Sequence, residues 1–173
     1  MGTNKPPHMP RIHALVPCAG VGVRACTQGP KQYVQLAGRA LVSHTLSALQ
    51  GVSRVHAVLV MLAPDDQVFE REVPEFAGPR AWIARKGGST RAQTVANGLD
   101  VLREHGADDR DWVLVHDAAR ALLRPEWVDR LIEACQHDEV GGLLALPVAD
   151  TLKSEQAGRA AATAGAGPGR SRR

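Results

Sequence analysis

Three short stretches of the chain hold residue types that could do phosphate chemistry. In Val16–Tyr33, two close glycines, Gly20 and Gly22, precede two cations, Arg24 and Lys31, the second just after Pro30. A glycine-rich turn leaving the carboxyl end of a strand lets backbone N–H groups approach phosphates. Cations beside it can stabilise charge that builds up during phosphoryl or nucleotidyl transfer. The second stretch, Gly87-Gly88-Ser89-Thr90-Arg91, is a glycine turn ahead of a helical run. Its amides and small side chains can hold the edge of a flat base, with Thr94 one turn in. The third, His116-Asp117-Ala118-Ala119-Arg120, ends an apolar run. An Asp there can hold Mg²⁺ bridged to triphosphate oxygens. Together the three stretches read as a nucleoside-triphosphate site.

Each stretch also has a plainer structural reading. Gly20 and Gly22 suit a tight turn, although a turn alone leaves Arg24 and Lys31 unexplained. Gly20-Val21-Gly22-Val23-Arg24-Ala25 fits the loose dinucleotide fingerprint, but the second apolar strand, ending Leu59-Val60-Met61-Leu62, offers no acid to hold a ribose, which excludes a dehydrogenase. Ser89 suits a helix N-cap. Arg91 can bridge to an acid on a neighbouring loop, and Asp117 can pair with Arg120. His116 suits an orienting role. The remaining histidines form no ligand-spaced set, and Cys18 and Cys26 have no resolving thiol or histidine beside them, so cysteine nucleophilic chemistry is not expected.

The elements that must position these residues alternate along the chain. Apolar runs predict strands over Arg11–Val16, Val55–Leu62, Ala81–Ala84, Trp112–Val115 and Gly141–Leu146. Helical spacing predicts helices over Leu41–Leu49, Asp66–Val73, Thr90–His105 and Pro125–Cys135, the last with proline suited to its first turn. Such alternation gives an open α/β fold, a mostly parallel sheet with helices on both faces. Ligands of these sheets bind beyond the carboxyl ends of the strands, where all three stretches fall.

Composition narrows the setting. A length of 173 residues suits one domain, and 44% hydrophobic residues suffice for its core. The expected domain is 11–153, incomplete at its carboxyl end, after a disordered leader over 1–10 and before a disordered basic Ala/Gly/Arg tail over 154–173. That tail holds four arginines against Glu155, which accounts for the whole net charge of +3. The basic balance therefore does not argue for nucleic-acid binding. Three cysteines without a C-x-x-C pair, and no signal-peptide pattern, fit a reduced cytoplasmic protein. No apolar run is long enough to span a membrane.

The motifs together resemble the 2-C-methyl-D-erythritol 4-phosphate cytidylyltransferase family of the non-mevalonate isoprenoid pathway. The matching elements are Val16-Pro17, Ala19-Gly20, Gly22, Arg24, Pro30-Lys31-Gln32-Tyr33, Gly87-Gly88 with Arg91, Val113 through Arg120, and Pro147 through Lys153. The resemblance implies a Rossmann-like nucleotidyltransferase domain that joins CTP to a sugar-alcohol phosphate with Mg²⁺ and releases pyrophosphate. It assigns Arg24 and Lys31 to stabilising the α-phosphate. Pro17, Cys18, Ala19, Gly20, Gly22, Gly87, Gly88, Thr94, Asp117 and Ala118 become nucleotide-binding, with Asp117 also on the metal and Arg120 on the acceptor's phosphate. Cys18 replaces a usual Ala, and Ser89 a frequent acid. After Lys153 the family continues into an arm that builds a homodimer. The Ala/Gly/Arg tail is expected to replace that arm, as in a truncated or frameshifted product. Two alternatives stay open: a CTP-binding remnant without turnover, and a cytidylyltransferase for another sugar or alditol phosphate.

Overall fold

The computed structural model describes residues 9–20, 29–146, 152–156 and 159–164. Gly22, Arg24 and Cys26 lie outside these, as do residues 1–8, 147–151, 157–158 and 165–173.

The chain opens with strand β1, Ile12–Pro17. A 3-10 turn, Lys31–Tyr33, leads to a small antiparallel pair, β2 (Gln35–Leu36) and β3 (Arg39–Ala40). Helix α1, Leu41–Gln50, and strand β4, Val55–Met61, follow. Next come the single-turn helix α2 (Phe69–Glu72), strand β5 (Ala81–Ala84) and helix α3 (Arg91–Glu104). Strand β6 (Trp112–Val115) and helix α4 (Pro125–Cys135) complete the alternation. Four strands form one parallel sheet in the order β5-β4-β1-β6.

The alternating strand side chains build two cores. Ala14, Val16, Val58 and Val60 face α1 and α4, meeting Val42, Leu46, Leu49, Val128 and Ile132. Leu15, Leu59 and Met61 face α3, meeting Val101 and Leu102. Helices therefore cover both faces, as the alternation predicts. Gly98 brings α3 close to the sheet: a Cβ there would stand 2.5 Å from Leu15 Cδ1.

Four expectations are corrected. The helix predicted over 66–73 shrinks to α2, because the Asp66 carboxylate accepts from the N–H groups of Val68 and Phe69 and turns the chain before the helix starts. The N-cap of α3 is Thr90, whose hydroxyl accepts from Gln93 N at 3.1 Å; Ser89 lies one residue outside. Residues 141–146 form no strand. Asp138 accepts from the N–H groups of Val140 and Gly141, and Gly141, with φ of 99°, turns the run out of line; no strand pairs with it among the described residues. Finally, where a disordered tail was expected, part of it forms an antiparallel hairpin, β7 (Leu152–Gln156) with β8 (Arg159–Ala164). Ladder hydrogen bonds are made by the backbone, so an Ala-rich sequence can form them without an apolar period. A two-stranded element thus stands where the resemblance sets the family's arm, which was expected to be lost.

Candidate active site at the carboxyl ends of the strands

The sheet order changes direction at β1. The chain moves from β1 to β4 and β5 on one side, then returns to β6 on the other. The crevice beyond the carboxyl ends of β1 and β6 is therefore the switch point, the usual ligand position in such sheets. A cleft of about 440 Å³ opens there, lined by Pro17, Ala19 and Gly20 after β1, by Gly88, Ser89, Thr90, Arg91 and Thr94 at the start of α3, and by Asp117 after β6. The three stretches singled out in the sequence meet in one place.

Each stretch is held by identifiable contacts. Cys18 N donates to Met61 O at 2.8 Å, which continues the β1–β4 ladder into the first loop. The buried Gln32 amide donates to Cys18 O at 3.0 Å across fourteen residues of chain. Tyr33 OH donates to Asp66 Oδ2 at 2.5 Å. These two anchors fix the returning end of the loop beside its start. Lys31 sits at the head of the same turn, exposed, and is not among the residues lining the cleft.

The second turn is pressed against the first. Gly87 N donates to Leu62 O at 2.8 Å. A Cβ on Gly87 would stand 2.6 Å from Leu62 O and would overlap the Ala19 Cβ. Only glycine permits that approach, so Gly87 sets the spacing of the two loops and lies behind the cleft wall. Thr94 does line the cleft, but its hydroxyl is committed to the turn: it donates to Thr90 O at 3.0 Å and accepts from Gly88 N at 3.0 Å. Its part is to brace the Gly88–Thr90 backbone.

Asp117 lies between two guanidinium groups. Arg91 Nε donates to Oδ1 at 2.7 Å, and Arg120 Nε stands 2.8 Å from Oδ2. Burial works against the charge of this carboxylate. The hydrogen bond from Arg91 and the charges of Arg91, Arg120 and His116 outweigh it and hold the group below the usual carboxylate range. Both plain readings, Arg91 bridging to a neighbouring acid and Asp117 pairing with Arg120, are therefore present together. His116 Nε2 lies 3.3 Å from Arg120 O, in keeping with an orienting role.

Three further expected site residues stand apart from the cleft wall. Cys18 is buried, and burial together with the nearby Asp66 charge pushes its thiol up to about 12, which removes it as a nucleophile at neutral pH. Ala118 is buried and its carbonyl accepts from Thr45 Oγ1 at 3.0 Å. Arg120 lines an apolar groove on the far side of Asp117. Sequence reasoning did not single out Gln32, Tyr33 and Asp66 as anchors. Nothing in the Pro-Lys-Gln-Tyr turn marks these polar side chains as anchors before the fold is known, and Asp66 reads in the sequence as the start of an acidic helix.

The family model for 2-C-methyl-D-erythritol 4-phosphate cytidylyltransferase, IspD, matches residues 12–166. A protein of that name from Burkholderia multivorans is 52% identical over 149 residues, covering 86% of this chain and 62% of that protein. A bifunctional IspD/IspF enzyme of Albidiferax ferrireducens is 55% identical over 154 residues, 89% of this chain and 36% of the relative. The chain thus spans less than two thirds of the length of either relative. Among solved structures, a 4-diphosphocytidyl-2C-methyl-D-erythritol synthase superposes with a TM-score of 0.79 at 36% identity, over 93% of this chain and 71% of that one. The chain belongs to the 2-C-methyl-D-erythritol 4-phosphate cytidylyltransferase family.

Proposed function

We propose that the protein joins CTP to 2-C-methyl-D-erythritol 4-phosphate and releases pyrophosphate, supplying isoprenoid precursors. The observation that carries this reading is the family match along residues 12–166, which runs through all three loops of the cleft. An oxygen of the acceptor's phosphate attacks the α-phosphorus of CTP, and the bond to the β-phosphate oxygen breaks. No covalent enzyme intermediate is needed, so placement and charge stabilisation are the protein's task. The backbone of Pro17–Gly20, with Gly22, wraps the triphosphate. The braced Gly88 turn takes the cytosine edge. Arg24 and Lys31 stabilise charge on the α-phosphate, and Arg120 meets the acceptor's phosphate.

The same reading calls for a divalent cation, Mg²⁺. Among the described residues there is no cluster of three or more His, Cys, Asp or Glu side chains suited to a metal. Among the described residues, Asp117 is the one carboxylate lining the cleft. Mg²⁺ usually keeps several waters and takes one or two carboxylates plus substrate phosphates. An ionised Asp117 fits a cation that arrives with the nucleotide, once its arginine partners yield an oxygen. The cation would there neutralise charge on the phosphates. A cytoplasmic setting, and homodimer formation through the β7–β8 hairpin, extend the proposal. No described helix is long and apolar enough to cross a membrane.

The test is CTP titration of the purified chain in Mg²⁺, followed by pyrophosphate release on adding the acceptor. Acceptor-dependent release is expected. Lys31→Ala should cut turnover by about a hundredfold while leaving CTP affinity within about threefold, because the cation acts on charge that grows in the transition state. Binding without release would favour a second reading, nucleotide binding without turnover, for which the position of Lys31 outside the cleft lining speaks. Release with a different alditol phosphate would reassign the acceptor. Absence of CTP binding would overturn the readings together.

A further inference from the structure

The turn that carries Lys31 is held by both of the residues that follow it. Lys31–Tyr33 is a single 3-10 turn. Three residues per turn send three successive side chains to three sides. Gln32 reaches Cys18 O and Tyr33 reaches Asp66 Oδ2, so the direction left to Lys31 is set by its two neighbours. The Tyr33 ring packs against the larger core, and its hydroxyl adds a fixed direction to that contact. Burial, with the hydrogen bond to Asp66, raises the phenol above its ordinary range, so it stays protonated and donates. Asp66 is itself held from two sides. Its Oδ1 accepts from Val68 N at 2.9 Å and Phe69 N at 3.1 Å, and the buried Phe69 ring meets Phe76 edge to face. Its carbonyl accepts from Arg85 Nε at 2.8 Å, and Arg85 also reaches both oxygens of Glu70 at 2.7 Å. Arg85 follows β5 and stands two residues before Gly87. The segment after β4 therefore ties the Lys31 turn to the start of the second cleft loop.

We infer that Tyr33 is a positioning residue for Lys31: its hydrogen bond to Asp66 fixes the base of the lysine, so that the ammonium is delivered to the α-phosphate as charge builds there. This rests on the cytidylyltransferase reading, in which Lys31 acts on that charge. Neither Tyr33 nor Asp66 is among the residues lining the cleft, so their effect on the reaction passes through Lys31. A lysine is a point charge on a flexible four-carbon stem. Freedom at the base of the stem adds to the freedom along it, and a misplacement of about 1 Å can cost about a hundredfold in rate. Asp66, turned by its own backbone contacts and joined to β5 through Arg85, gives the phenol a fixed point to hold.

The test is Tyr33→Phe in the full 173-residue chain, which keeps the packed ring and removes the hydroxyl. Its kcat should fall about tenfold while the KM for CTP stays within about twofold. In the Lys31→Ala background the same change should alter kcat by less than about twofold, because the group that it positions is gone. Ile132→Val, a truncation in the core under α4, should lower Tm at least as much as Tyr33→Phe and leave kcat unchanged. A Tyr33→Phe kcat within twofold of the unmodified chain would overturn the inference. So would a tenfold loss repeated on top of Lys31→Ala, which would give Tyr33 a part independent of the lysine. Loss of CTP binding together with kcat, or an equal fall of kcat in Ile132→Val, would make the bond a general structural support and overturn it as well. The two readings fail separately. No acceptor-dependent pyrophosphate release by the unmodified chain removes the cytidylyltransferase reading and this inference with it; release that Tyr33→Phe leaves intact removes this inference alone.

Discussion

Two aspartates stand at opposite ends of β6, each beside arginine and histidine, and they do opposite things. Asp111, just before the strand, has a side chain 1% exposed. It accepts from Arg11 N at 2.8 Å, Arg11 Nε at 3.2 Å and Asp108 N at 3.0 Å, and His13 Nε2 lies 3.2 Å from its Oδ2. Asp117, just after the strand, is 32% exposed and, among the described residues, its carboxylate is held by the side chains of two arginines that are 60% and 74% exposed. Backbone donors and burial make the first a lock between β1 and β6. Long, solvated partners leave the second able to exchange them for a ligand. Residue type alone does not separate the two; the surroundings do.

The difference can be broken or sharpened by experiment. The largest expected effect is from Asp111→Ala, which leaves the buried His13 and the half-buried Arg11 without their carboxylate; about 3 kcal/mol of stability should be lost in urea unfolding. Gly87→Ala should cost about 2 kcal/mol, since its Cβ meets the Leu62 carbonyl and Ala19, and should abolish CTP binding to the cleft in calorimetry. Asp117→Ala, by contrast, should change stability by no more than about 0.5 kcal/mol, because its ion pairs are screened by water, while Mg²⁺-dependent CTP affinity falls by about tenfold. If Asp117→Ala unfolds the chain as Asp111→Ala does, the contrast fails.

The smallest effect concerns pH. Burial lowers the His13 pKa from its ordinary 6.5, against the opposing pull of Asp111. The unfolded chain takes up a proton near pH 6.5 and the folded chain does not. This contribution to stability is therefore complete above pH 6.5 and is lost as the pH falls toward the folded value. His13→Gln, which can still donate to Asp111, should flatten the acid side of a stability-versus-pH curve. An unchanged slope would assign the acid sensitivity to another group.

Much of this architecture was readable in the residues. The strands at 81–84 and 112–115 and the helix at 125–135 coincide with their predicted bounds, because short apolar runs and a proline at the first turn mark them locally. The three loops of the cleft were legible because glycines and charges cluster at strand ends. What stayed hidden depends on distant partners. A strand over 141–146 needs a neighbour that the described residues do not supply. The Asp111–His13 pair joins positions ninety-eight residues apart. Gln32 reads as an ordinary turn residue until its hold on Cys18 is seen. His13 gave one available sign, an inward position in the alternation of β1.

The meeting of Gly87 with Ala19 bears on how selectivity could be altered. Where two loops touch through a missing side chain, the gap between them is a property of the main chain, and no change of rotamer can widen it. Redesign for a bulkier ligand would accordingly have to lengthen a loop, because any residue larger than glycine at 87 pushes the walls apart before it reaches the guest.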